Sequence, residues 1–420
     1  MKHIAYRRNI AENFDELFIE EVAIGEIARA VGTPFYCYSK KTLQENYLDF
    51  AQSFSDVDHK ICYAIKANYN LHLIKVLAQL QSGIDAVSAG EIDRAIKAGI
   101  DCKKIVFAGV GKTEKDIIFA IKSGVEEFSV ESEAEMFELN RIALAMGIKV
   151  KFSLRVNPNV DAKTHDKIST GRKCDKFGVD IDLAQEIYTK AMKLSGLEIY
   201  GVAMHIGSQI TSLEPFRLAF EKLRNLCVEL RQMGCAIKSL DIGGGIGILY
   251  KNETTIFIHD YAQMVKKIFK DLNVKLTIAP GRAIVGSAGL LISEVIYSKR
   301  TEGKNFAIID AAMNDLMRPG LYDSYHEVLP VVKKYGNNDV YDLVGPICET
   351  TDVLAKNRNL ANLQPKDLLT FCSAGAYGAS MSNEYNCRPL IPEVLVDGKQ
   401  FKIIRKRPSF DEMLRLEEGL

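Results

Sequence analysis

Between about residue 57 and residue 278, short apolar runs alternate with segments of helical periodicity, and this rhythm restricts the chain to very few architectures. Eight apolar runs read as strands: 61–65, 83–87, 105–109, 127–130, 150–156, 199–206, 239–242 and 275–278. Helix-like stretches fill the gaps at 71–81, 89–98, 114–123, 133–146, 183–194, 214–233 and 261–272. Thr113 and Ser132 each precede an acidic first turn, where a hydroxyl can accept an otherwise unpaired helix N–H. Eight βα units of this length predict a (β/α)8 TIM-type barrel. An open doubly wound sheet is the alternative that the rhythm alone leaves.

After residue 286 the texture changes. Short β-prone runs at 291–298, 305–309, 340–344, 368–373, 393–396 and 401–405 are separated by Gly, Pro and Asn. They predict a C-terminal antiparallel β-domain of sandwich or barrel type. The organisation read from the chain is thus an N-terminal segment (1–34), a barrel (35–285) and a β-domain (286–420). The first segment contains a strand-like stretch at 20–23 and is expected to join the β-domain.

Composition narrows the function. Lys+Arg and Asp+Glu balance at 54 each and no basic stretch stands out, which argues against nucleic acid or an anionic membrane as partner. The nine cysteines form no CxxC pair and no apolar segment stands near the N-terminus, so reduced thiols in a cytoplasm are expected. No run reaches membrane-spanning length.

A barrel of this type carries its active site at the C-terminal ends of its strands, so polar residues there are the candidates. Lys66 stands at the end of the first run, Asp85 and Ser88 at that of the second, and Arg155, Asn157 and Pro158 at that of the fifth. His205 and Ser208 stand at the end of the sixth, Gly243, Gly244 and Gly245 at that of the seventh, and Pro280, Gly281 and Arg282 at that of the eighth. A lysine held at the end of a buried strand loses hydration, which leaves a nucleophilic amine able to form a Schiff base with an aldehyde. The bland alternative is a lysine reaching solvent. Three glycines after a strand let backbone N–H groups approach an anion, and Ser208 can add a donor, so a phosphate cradle is one reading. A tight turn needing positive φ is the other. His205 is placed to stack on a planar ring or to serve as a structural histidine.

Motifs spread over the chain carry a resemblance. YAIKAN (63–68), RVNPNVDAKTH (155–165), ISTG (168–171), KFG (176–178), HIGSQI (205–210), LDIGGGIG (240–247) and PGR (280–282) stand in the first part. DAAMNDLMRPGLYDSYH (310–326), GPICETTD (345–352), GAYGASMS (375–382) and YNCRP (385–389) follow. In order and content they closely resemble the diaminopimelate decarboxylases, in the fold-type III, alanine-racemase-like group of pyridoxal-phosphate enzymes. The resemblance implies a homodimer with shared active sites. It implies that Lys66 holds pyridoxal 5'-phosphate, that His205 stacks on its ring, and that Ser208, Gly244, Gly245, Pro280, Gly281, Arg282 and Tyr377 bind its phosphate. Cys348 would supply a proton from the β-domain of a second subunit, although a cysteine after Gly-Pro-Ile also suits an apolar filler. Arg282, Arg318, Tyr322 and Tyr377 would grip the distal carboxylate of meso-diaminopimelate, and Glu349 its distal ammonium. Ornithine decarboxylase, a relative in fold, has aspartate after the cysteine and needs no carboxylate clamp.

One position departs from the family. Glu-Pro-Gly-Arg is the usual sequence after the eighth strand, and the glutamate is expected to keep the pyridine nitrogen protonated; here Ala279 precedes Pro280. Either Asp241 or water serves the nitrogen, or the electron sink is weaker. Ala279 favours one competing reading, a catalytically impaired or regulatory homologue; the other, a decarboxylase of another basic amino acid, is opposed by Glu349 and the arginines.

Overall fold

The computed structural model describes residues 2–9, 14–162, 170–171, 175–415 and 417–418. The chain divides into two compact units. One comprises Asn46–Ile248 and Thr254–Ala283, and the other comprises Met1–Glu45, Leu249–Glu253 and Ile284–Leu420.

The first unit is a closed parallel barrel. Its eight strands are His59–Ala64, Gly83–Ala86, Ile105–Phe107, Glu127–Val130, Val150–Asn157, Leu197–Met204, Ser239–Asp241 and Lys275–Ile278. Each pairs with the next in parallel, the eighth pairs with the first, and a short strand (Val179–Asp180) flanks the fifth. This rules out the open sheet. The strands read as nearly unbroken apolar runs because helices cover one face and the barrel interior the other. Thr113 accepts the Asp116 N–H while the Asp116 carboxylate accepts the Thr113 N–H, and Ser132 accepts the Glu135 N–H; both caps stand where the sequence put them. The sixth strand slips register between Ile199 and Gly201, and Tyr188 stabilises the irregularity: its hydroxyl donates to the Gly201 carbonyl at 2.5 Å and accepts the Leu154 N–H at 3.2 Å.

The second unit is built on a nine-stranded sheet in which Gly289–Thr301 is the long central strand, pairing antiparallel with Lys304–Ile309, Leu368–Phe371 and Phe35–Ser39. Most pairs are antiparallel, as expected, but Lys304–Ile309 with Asn338–Val344 and Glu393–Asp397 with Phe35–Ser39 run parallel. Ile4–Asn9, Phe14–Ile19 and Val22–Ala23 form a separate three-stranded sheet. It bonds to the larger sheet region through the Leu17 N–H to the Val331 carbonyl (2.7 Å) and buries Leu17, Ile19 and Val22 in one cluster with Leu290, Ile292 and Val394. The strand expected at 20–23 begins only at Val22, because Glu20 turns at φ 52°. The buried Glu20 carboxylate instead accepts from the Ser39 hydroxyl (2.7 Å), the Lys41 N–H (2.9 Å) and the Gly398 N–H (2.6 Å). Among the described residues no helix is long and apolar enough to cross a membrane.

Candidate active site

The first barrel strand ends where Ala64 donates its N–H to the Pro280 carbonyl at 3.1 Å, and the chain tightens into the 3-10 turn Ile65–Ala67. Lys66 sits on this turn with an exposed side chain. The expectation of a lysine desolvated by its strand is thus corrected: the turn carries Lys66 off the buried face. Pro280–Arg282 packs closely behind it. A Cβ added to Gly281 would lie 3.1 Å from the Ala67 Cβ and 3.2 Å from that of Ala64.

The charge of Lys66 is felt by the acids and the imidazole nearby. Burial raises the Asp85 carboxyl against the pull of Lys66 and Arg155. Burial likewise pushes Glu91 up to about 7, although it accepts the Val87 N–H. His205 lies well below its ordinary value, chiefly through burial and further through the positive Lys66 and Arg155. It is therefore a neutral imidazole. Its Nδ1 accepts the Gly244 N–H at 3.2 Å, so its proton sits on Nε2.

The three glycines are required by their surroundings. Gly243 and Gly245 have φ of 66° and 107°, and a Cβ on Gly244 would run into the Ala279 carbonyl. The Gly243 N–H is held by Asp241 Oδ1 at 2.8 Å. Asp241 is buried, and burial together with the negative Asp85 pushes its carboxyl to about 7. The loops after the sixth and seventh strands are laced together: Ile210 N–H to the Gly245 carbonyl and Gly247 N–H to the Ile210 carbonyl, both at 2.9 Å. Arg282 donates from Nη2 to the Ser208 hydroxyl at 3.0 Å. A concave backbone without side chains, a hydroxyl, a guanidinium and a neutral imidazole fit a phosphate-bearing pyridine. Ala279 is buried beside this cradle and donates its N–H to the Gly243 carbonyl at 2.8 Å.

In the other unit Arg318 opens the short helix Arg318–Tyr322 and is only 5% exposed. Its Nη1 donates to His326 Nε2 at 2.8 Å, and its guanidinium lies 4.6 Å from the centre of the Tyr250 ring. His326 bonds through Nδ1 to the Cys372 carbonyl at 2.8 Å, which leaves Nε2 as the acceptor for the arginine. Tyr322 is half-buried at the end of the same helix. Cys348 and Glu349 are exposed on the loop 345–352. The buried Asp352 carboxylate closes that loop, accepting the Ile347 N–H and the Met313 N–H at 2.7 Å each. Tyr377 adopts φ 56°, a strained conformation for a bulky residue, held by a crowded backbone: a Cβ on Gly378 would lie 2.6 Å from the Ala374 oxygen.

Within the barrel unit the structure brings Ser208 to Arg282 and His205 to Gly244. Within the other it places Arg318 with Tyr322 and Cys348 with Glu349. Sequence reasoning did not single out His326, Tyr250 or Asp352. His326 and Asp352 close two of the motifs already quoted, whereas nothing around Tyr250 marks it. Residues 163–169 of the 155–171 motif region lie outside the described residues.

These features define a pyridoxal-dependent decarboxylase, and the corresponding family model, the pyridoxal binding domain of the pyridoxal-dependent decarboxylases, matches residues 40–286. The cofactor is pyridoxal phosphate. The chain is 45% identical over 406 residues to the diaminopimelate decarboxylase of Vibrio cholerae (96% of this chain, 97% of the relative). It is 48% identical over 397 residues to that of Aquifex aeolicus (94% of each). The crystal structure of diaminopimelate decarboxylase from Helicobacter pylori complexed with L-lysine matches with a TM-score of 0.91 at 41% identity, covering 94% of this chain and 100% of that one. The chain belongs to the diaminopimelate decarboxylase family.

Proposed function

We propose that the residues described above divide the work of one reaction. The chain is a carboxy-lyase that converts meso-2,6-diaminopimelate to L-lysine and carbon dioxide, the last step of lysine biosynthesis. When bound, pyridoxal phosphate supplies the electron sink for the pair released as the bond to the carboxylate breaks. Lys66 is the amine that holds the cofactor's aldehyde. Ser208, Gly244, Gly245, Pro280, Gly281, Arg282 and Tyr377 hold its phosphate, and neutral His205 stacks on its ring without adding a charge. Cys348 gives the proton from Sγ to the carbon that has lost carbon dioxide, which restores a C–H bond and yields lysine.

Substrate choice rests on Arg318. A buried guanidinium fixed by His326 and Tyr250 is a rigid fork suited to a planar carboxylate, which diaminopimelate carries at its distal end and ornithine lacks. Arg282, Tyr322 and Tyr377 add donors, and Glu349 pairs with the distal ammonium. Cys348 and Glu349 are exposed in one chain, whereas proton transfer and charge pairing need a drier setting. A second subunit that covers them, making a homodimer with shared sites, meets this need. The eight described cysteines are all free, which suits a cytoplasmic enzyme. The test is carbon dioxide release from diaminopimelate, ornithine, arginine and lysine. Release from diaminopimelate alone is expected, and faster release from another of them would overturn the substrate assignment.

A further inference from the structure

At the N-terminal mouth of the barrel, opposite the end that carries Lys66, lies a cavity of about 450 Å3. The intervening strand has six residues, which sets the two ends roughly 20 Å apart. Five lysines (Lys60, Lys103, Lys104, Lys151 and Lys275) line the cavity against two glutamates, Glu126 and Glu127. Lysines and arginines equal acids over the whole chain, so an excess of three positive charges in one concavity is a local feature. It arises because these residues begin or immediately precede strands, where side chains cluster around one rim.

The glutamates are already committed. Lys60 and Glu127 pair at 2.7 Å with side chains 12% and 7% exposed, and since the first and fourth strands are not neighbours the pair spans the barrel interior. Glu126 takes Lys151 on one oxygen at 2.7 Å and Lys103 on the other at 3.5 Å. Lys104 donates to Gln81 Oε1 at 2.9 Å, and the Lys275 ammonium has no hydrogen bond or ion pair among the described residues. Lys151 also lies 5.3 Å from the centre of the Tyr200 ring, which gives the wall a flat face. Like charges gathered over a partly desolvated wall focus the local potential and draw in anions, and the volume is that of a small-molecule site. We propose that this cavity binds a small anion bearing two or more carboxylate or phosphate charges, independently of the reaction site.

The test is calorimetric titration of the holoenzyme at low ionic strength with citrate and, separately, with inorganic pyrophosphate. The holoenzyme is used so that the phosphate cradle is already filled. Saturable binding of at least one probe is expected, and the tighter of the two identifies the carboxylate or the phosphate as the preferred group. The Lys103→Gln/Lys275→Gln double variant removes two charges that hold no fold contacts beyond one long ion pair. It should weaken binding by about tenfold, whereas Arg318→Ala should leave it unchanged. No saturable binding by the parent, equal binding by the double variant, or loss of binding in Arg318→Ala would each overturn the proposal.

Discussion

Asp352 is chemically silent, yet its replacement should disable the loop that presents Cys348 and Glu349. Its carboxylate accepts two backbone N–H groups at 2.7 Å, from Ile347 on the loop and from Met313 five residues before Arg318. A hydrogen bond to a charged acceptor contributes about 1.5–3 kcal/mol, and a buried N–H left without a partner costs a similar amount. Asp352→Asn keeps one acceptor oxygen and turns an amide N–H against the other donor. The expected loss is about 2 kcal/mol, which is roughly 30-fold in kcat/KM if it falls on the geometry of proton transfer. Cofactor absorbance should be unchanged, because none of the residues proposed to bind the cofactor bonds to Asp352. Steady-state decarboxylation and the visible spectrum check both. Acid offers a second handle. Burial raises the Asp352 pKa above its unfolded value, so protonation on acidification favours the folded chain while removing one acceptor. The contribution of this residue must therefore appear as lost activity in acid without lost Tm. An Asp352→Asn enzyme with the parent's kcat/KM and pH profile would refute the argument.

Arg318→Ala should lower kcat/KM on diaminopimelate at least tenfold with the cofactor retained, since a charged group left unpaired in a desolvated pocket costs on the order of 2–5 kcal/mol; steady-state kinetics decides it. Mixing inactive Lys66→Ala with inactive Cys348→Ala should restore part of the activity through mixed dimers, and none despite proven subunit exchange would mean each site is built within one chain. Asp241 has a folded pKa raised to about 7, so the folded chain binds a proton that the unfolded chain releases near 4; parent stability should fall between about pH 4 and 7, and Asp241→Asn should flatten that fall in a Tm series. Ala279→Glu should raise kcat with little change in KM, because its carboxylate would stabilise the protonated form of the pyridine nitrogen, an interaction stronger in the transition state; a folded, cofactor-bound variant with no gain would show that another group already serves it.

The barrel was legible because parallel strands covered on both faces leave uninterrupted apolar runs such as 61–65, punctuated by capped helices. Phe35–Ser39 was not read as a strand of the β-sheet. All five of its residues are buried, so it shows no alternation, and its partners Gly289–Thr301 and Glu393–Asp397 lie hundreds of residues away. The residues proposed to touch cofactor or substrate stood out by type and position: a lysine, a glycine run, arginines after strand or loop signals. Those that orient them did not. His326 and Tyr250 matter through a 2.8 Å bond and a stacked face; His326 ends a recognisable motif but nothing in it tells of the bond to Arg318, and Tyr250 has no local sequence signature at all. The depth of Lys66 was misjudged for a related reason, since the turn at 65–67 depends on a bond from Ala64 to Pro280, which is distant in sequence.

Asp241 and Asp352 point to a shared construction. Each is a buried acid, each accepts a backbone N–H of a loop proposed to do chemistry, and burial raises the pKa of each. Burial opposes the ionised form of each acid, so ionisation as the pH rises costs the folded chain stability relative to the protonated acid. What such an acid contributes is a fixed loop geometry: Asp241 holds the Gly243 N–H, and the two oxygens of Asp352 hold two donors where a single acceptor would hold one. Tyr377, strained at φ 56°, follows the same logic through the backbone. Stability and catalytic geometry should therefore be separable at these positions: neutral isosteres that flatten the fall of Tm as the pH rises are the ones expected to slow decarboxylation.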